Sequence, residues 1–121
     1  MSVYGKKVWY IPDGYYPDSK SGEKYVSHEA ICVLNTTDND AAIKITLYFE
    51  DVEPIGGFTI QCKARRTNHL RMDQLKGDDG RTVPRGVAYA ILVESDTDIV
   101  CQYSRVDTAQ KNMSFMTTMA Y

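Results

Sequence analysis

The segment Ala42–Glu50 places Ile43, Ile45, Leu47 and Phe49 on one parity and Lys44, Thr46, Tyr48 and Glu50 on the other. Successive side chains of an extended chain point to opposite faces, so this strict period of two specifies a half-buried β-strand. The rest of the chain repeats the signal in short runs rich in β formers, helped by nine Tyr and three Phe. Lys7–Ile11 is a run stopped by Pro12, which cannot donate to a sheet ladder. Phe58–Lys63 alternates after a turn at Pro54, Gly56 and Gly57. Val87–Glu94 is nearly all apolar and reads as a central strand, followed by Asp98–Val106 after a turn at Ser95-Asp96-Thr97. The turn signal Asn35–Asp40 makes Tyr25–Leu34 and Ala42–Glu50 read as a hairpin. Asp13–Lys24 and Lys76–Gly86 read as loops, Met72–Leu75 as a short helical turn, and Asn112–Tyr121 as either helix or strand. With no helix long enough for a crossover, the expected fold is all-β with little helix: an antiparallel β-sandwich or barrel of about seven or eight short strands.

The 121 residues correspond to one domain spanning 1–121. Hydrophobic content of 43% and charged content of 25% are those of a globular chain. No apolar run approaches the ~18 residues of a membrane span, and Lys6 and Lys7 precede only a short mixed strand, so neither membrane insertion nor a signal peptide is expected. The net charge of −2 argues against a general polyanion binder and leaves a local basic patch open. Cys32, Cys62 and Cys101 are too widely spaced for a paired metal motif and odd in number for a disulfide framework. They read as small buried hydrophobes in a reducing compartment, and the cytoplasm is the expected location.

Three groups of residues could carry chemistry. In an extended chain Lys63, Arg65, Thr67, His69 and Arg71 share one face, with Arg66, Asn68 and Leu70 on the other. Such forked donors suit a phosphate or carboxylate; a solvated edge strand protected by basic residues is the plainer reading. Ser27-His28-Glu29 interrupts an apolar strand, and because His28 and Glu29 point to opposite faces they cannot form a dyad. Either could meet a basic residue from another strand or serve as a satisfied structural group. Trp9, with Tyr10, Tyr15 and Tyr16, lies beside the first loop, where flat rings suit stacking on a sugar or base, a subunit interface, or, for Trp9, core filling. Gln102 and Arg105 add polar groups on opposite faces of one strand. No nucleophile elbow, P-loop, HExxH, GxGxxG or RNP motif occurs, and with His28 and His69 as the only histidines a zinc site is not expected. No cofactor and no enzymatic activity are expected.

The ordered series Tyr25–Asn35 with its Ser-His-Glu core, Ile43–Glu50, Glu53-Pro54, Ala64–Arg71 and Ile99–Asp107 resembles the sensory rhodopsin transducer family. The similarity begins at Trp9 and Gly14-Tyr15, closes at Ala120-Tyr121, and is weakest over Lys76–Gly86. It implies a β-sandwich that assembles as a homotetramer and acts as a cytoplasmic signalling component. It also implies a binding module for small polar ligands such as sugars or nucleotide sugars, with a connection to DNA for one relative. Position by position, Ser27, His28, Glu29, Arg65, Arg66, His69, Arg71, Gln102 and Arg105 match the family's polar stretches, and with Trp9 they form the candidate ligand-binding set.

Three readings follow. The first is a non-enzymatic signalling protein that binds a small polar or anionic ligand and acts with a receptor or other signalling partner. The second is a DNA-binding regulator using the basic stripe, disfavoured by the net charge. In the third, the same polar residues fix a subunit interface.

Overall fold

The computed structural model describes residues 5–15, 28–107 and 114–121. Seven strands are formed among them: β1 (Lys6–Gly14), β2 (His28–Asn35), β3 (Ala41–Tyr48), β4 (Ile55–Cys62), β5 (Arg66–Arg71), β6 (Tyr89–Asp107) and β7 (Ser114–Met119). Among the described residues the helical element is a 3-10 turn at Met72–Gln74, where the sequence signals a short turn of helix. All strand pairings are antiparallel. The all-β, antiparallel, helix-poor fold expected from the sequence is the one observed.

The 19-residue strand β6 organises the molecule. Its first half pairs with β1 on one side and β3 on the other, and β4 extends that half beyond β3. Its second half pairs with β7 and β2, and β5 extends it beyond β2. The result is one seven-stranded sheet, curled about β6 into a half-barrel with a first and a second half-sheet. The concave side holds the core: Ile43, Ile45 and Leu47 from β3, Ile31 and Val33 from β2, Ile91, Val93, Ile99 and Cys101 from β6, and Phe58 from β4. Met72, Leu75 and Val83, from the segment after β5, add buried apolar side chains to the same core.

Four local expectations are corrected. Strands β2 and β3 do not form a hairpin; β6 lies between them and pairs with both. The turn chemistry after β2 is nonetheless used. Buried Asn35 donates through Nδ2 to the carbonyl oxygens of Asn39 (2.8 Å), Cys62 (3.1 Å) and Lys63 (3.3 Å), and its Oδ1 accepts from the Thr37 N–H (3.0 Å). A turn fixes the local path, but apolar burial decides the neighbour, and β6 has apolar surface for both strands. Secondly, Ser95-Asp96-Thr97 does not end a strand. The Ser95 hydroxyl bonds the Thr97 carbonyl (2.7 Å) and Asp96 accepts the Ala42 N–H (2.9 Å), so these residues bend β6 where its partners change. Thirdly, β1 runs through Pro12 to Gly14, with the missing donor absorbed by a register shift between Ile11 and Gly14. Fourthly, Gly56 and Gly57 belong to β4, where Gly57 at φ +84 accepts the Asp78 N–H through its carbonyl at 3.1 Å. The C-terminal segment, open between helix and strand, is strand β7 followed by Ala120 and Tyr121, and Tyr121 pairs its backbone with Tyr10.

Candidate functional site

The antiparallel register of the second half-sheet sorts its polar residues onto two faces. Residues directly opposite in such a ladder share a face. On the convex face, His69 stands opposite Cys32, which stands opposite Gln102. Arg71 stands opposite Ala30, which stands opposite Ser104, and His28 stands opposite Val106. Sequence positions 28, 69, 71 and 102 are thereby gathered on one accessible surface.

The groups on that surface are held to different degrees. Arg71 makes a two-pronged contact to Asp73, from Nε at 2.9 Å and Nη2 at 2.6 Å, and Arg85 Nη2 lies 3.5 Å from the same carboxylate. Two guanidinium groups around one carboxylate leave an excess positive charge at the end of β5. Gln102 Nε2 donates to the Thr117 hydroxyl at 2.7 Å, tying β6 to β7. His69 is exposed, and Cys32 is half-buried beneath it. All three cysteines are free thiols. Burial pushes the Cys101 thiol up to about 12 and raises that of Cys62, so both stay protonated near neutral pH.

On the concave face Glu29 is completely buried. Its Oε1 accepts the Tyr89 hydroxyl, and its Oε2 accepts the Tyr103 hydroxyl and the Tyr15 N–H at 2.7 Å. Burial, followed by the charge and hydrogen bond of Glu29, holds the Tyr103 phenol well above its ordinary range. Arg105, directly opposite Glu29 on β6, donates from Nη1 to the Tyr15 carbonyl at 3.2 Å. The Glu29–Arg105 pair therefore grips Tyr15 by its N–H and its carbonyl together.

The remaining candidates are dispersed. Arg65 has a left-handed φ of +56, which breaks the extended alternation before β5 begins. The expected five-residue basic stripe is thus reduced to Thr67, His69 and Arg71, while the Arg65 guanidinium meets Asp38 at 3.3 Å in solvent. Arg66 Nη1 donates to the Arg65 carbonyl. Trp9 is 8% exposed and part of the core, its indole N–H shared between the carbonyls of Lys6 (2.9 Å) and Ile99 (3.0 Å), with the Lys6 ammonium over its ring. Ser27, like Tyr16, lies outside the described residues. The sequence reading did not single out Tyr89 and Tyr103. A tyrosine at an inward position of an apolar strand needs an acceptor for its hydroxyl, and that was the available signal. Among the described residues no group of three or more His, Cys, Asp or Glu is placed to hold a metal ion, and no helix is long and apolar enough to cross a membrane.

The described residues thus form a helix-poor half-barrel that spreads its polar groups over an open sheet face and satisfies the buried Glu29 carboxylate internally. The chain matches the family model described as the Anabaena sensory rhodopsin transducer over residues 4–121, and it belongs to that family. The crystal structure of Thermotoga maritima 1070 is similar at 38% identity and a TM-score of 0.84, covering 97% of this chain and 94% of that one. The Anabaena sensory rhodopsin transducer itself is similar at 36% identity and a TM-score of 0.75, covering 84% of this chain and 89% of that one. No curated protein sequence matches the chain.

Proposed function

We propose that this protein is a non-enzymatic cytoplasmic signalling transducer that acts as a homotetramer and reads a small polar or anionic ligand of the sugar or nucleotide-sugar kind. Membership of the sensory rhodopsin transducer family supports the signalling role and a receptor as its partner. The observation that carries the ligand reading is the register that gathers His28, His69, Arg71 and Gln102 on the convex face of the second half-sheet. The paired guanidinium groups of Arg71 and Arg85 supply positive charge there, and His69 and Gln102 supply hydrogen bonds of the kind that hydroxyl-rich ligands need. Ligand binding would bias one tetramer arrangement over another and so alter what the partner meets.

Titration calorimetry with sugar phosphates and nucleotide sugars tests the reading. A ligand that binds the wild type should bind Arg71→Ala and His69→Ala more weakly, by about tenfold to a hundredfold, because one charge-assisted hydrogen bond contributes on the order of 1.5–3 kcal/mol. Equal heats for all three proteins would remove this face from ligand binding. Sedimentation of the wild type as a monomer would remove the tetramer.

A further inference from the structure

A second surface lies on the convex side of the first half-sheet, away from the ligand face. There Tyr10 on β1 and Tyr48 on β3 flank β6, 54% and 44% exposed. Tyr10 is opposite Leu92 and Tyr48 is opposite Ala90, so the two residues stand diagonally across β6, two strand spacings apart and two residues offset along it, roughly 12 Å between their backbones. The floor between them is low because its outward positions include Ala88 and Ala90. Three adjoining hollows of about 380, 380 and 370 Å³ share these walls: Pro12, Tyr48 and Ala90 join the first to the second, and Phe49, Glu50 and Ala88 join the second to the third. The groove is apolar at its Tyr10–Leu92 end and acidic at the other, where Asp13, Glu50 and Asp51 line it. Among the described residues no Lys, Arg or His lines any of the three hollows, and no salt bridge engages these carboxylates.

We propose that this groove docks a short, extended, basic segment of a partner protein. Charge complementarity names the occupant: three carboxylates with no cation beside them among the described residues call for Lys or Arg. The tyrosine rings suit the same side chains, since guanidinium and ammonium groups are attracted to ring faces and their stems cover apolar surface. From Ala88 to Leu92 the floor runs about 13 Å, the length of a few extended residues. A second copy presenting the same groove would bring more carboxylates to it, and an anionic lipid surface would be repelled by it. The proposal is independent of the ligand reading, which uses other residues on the other half-sheet.

The test is fluorescence anisotropy with a labelled peptide of alternating leucine and arginine, and with its counterpart carrying glutamate for arginine. The wild type should bind the arginine peptide and not the glutamate peptide, with affinity falling as salt is added. Tyr48→Ala should weaken binding about tenfold, the scale of one cation–π contact together with its apolar cover. The double variant Asp13→Lys and Glu50→Lys, both at exposed positions, should exchange the preference between the two peptides. Equal affinity for both peptides, or a double variant that behaves as wild type, would overturn the proposal. So would dissociation of an oligomer by Tyr48→Ala, which would identify the occupant as a second copy, or binding of the wild type to phosphatidylserine vesicles.

Discussion

Glu29 and Arg71 are charged residues from neighbouring strands of the same half-sheet, and the fold treats them in opposite ways. Glu29 points into the concave core, where it is fully buried and each carboxylate oxygen is met by a protein donor. Arg71 points outward, meets Asp73 with its guanidinium, and remains accessible for further contact. The lesson concerns cost. A buried charge must be satisfied by its own chain and so becomes structural, whereas a charge on a sheet face can be lent to a ligand with little penalty.

The largest expected effect breaks the concave side of this comparison. Glu29→Ala leaves the Tyr89 and Tyr103 hydroxyls and the Tyr15 N–H without their acceptor, and urea unfolding should report a loss of about 3 kcal/mol or more. Glu29→Gln, which keeps one carbonyl acceptor, should lose less. A change under about 1 kcal/mol for the alanine variant would show that the buried network is not what holds Tyr15 and the sheet together.

An intermediate effect comes from the other buried groups of the concave face. Cys101 and Tyr103 both favour their neutral forms in the folded state. Their contribution is therefore fully present below the unfolded thiol value of about 8.5 and is lost as pH rises toward the folded values, at up to about 1.4 kcal/mol per pH unit for each proton. Unfolding midpoints measured from pH 7 to 11 should fall over that window. Over the same range iodoacetamide should label Cys32 before Cys62 or Cys101, because Cys32 alone of the three is not fully buried. A flat profile with equal labelling would place these groups in water.

The smallest effect belongs to the convex and rim charges. Arg65 and Asp38 are 72% and 85% exposed, so Arg65→Ala should change stability by less than about 0.5 kcal/mol and leave ligand heats unaltered. Loss of ligand binding in that variant would return Arg65 to the site and enlarge the face beyond β5.

The strand content was legible because side-chain alternation is a local property: the inward residues of β3 are those its pattern indicates, and Phe49 packs against the same core. The pairing was less legible. Ser95-Asp96-Thr97 has turn composition, yet a bend within a long strand uses the same hydroxyl and carboxylate bonds as a turn between two short ones. The basic run after β4 was visible as a run, but its alternation depended on every residue being extended, and Arg65 is not.

By itself the chain's order of residues determined that this protein is a helix-poor antiparallel β fold, which residues turn inward on β3, and the family to which it belongs. Only the tertiary structure decided that β6 separates β2 from β3, that Glu29 is caged by Tyr89 and Tyr103, and that Tyr10 and Tyr48 border one groove. The physical reason is range. Alternation and turn preference act over a few residues, whereas strand order and cross-strand register depend on which distant apolar surfaces are removed from water together.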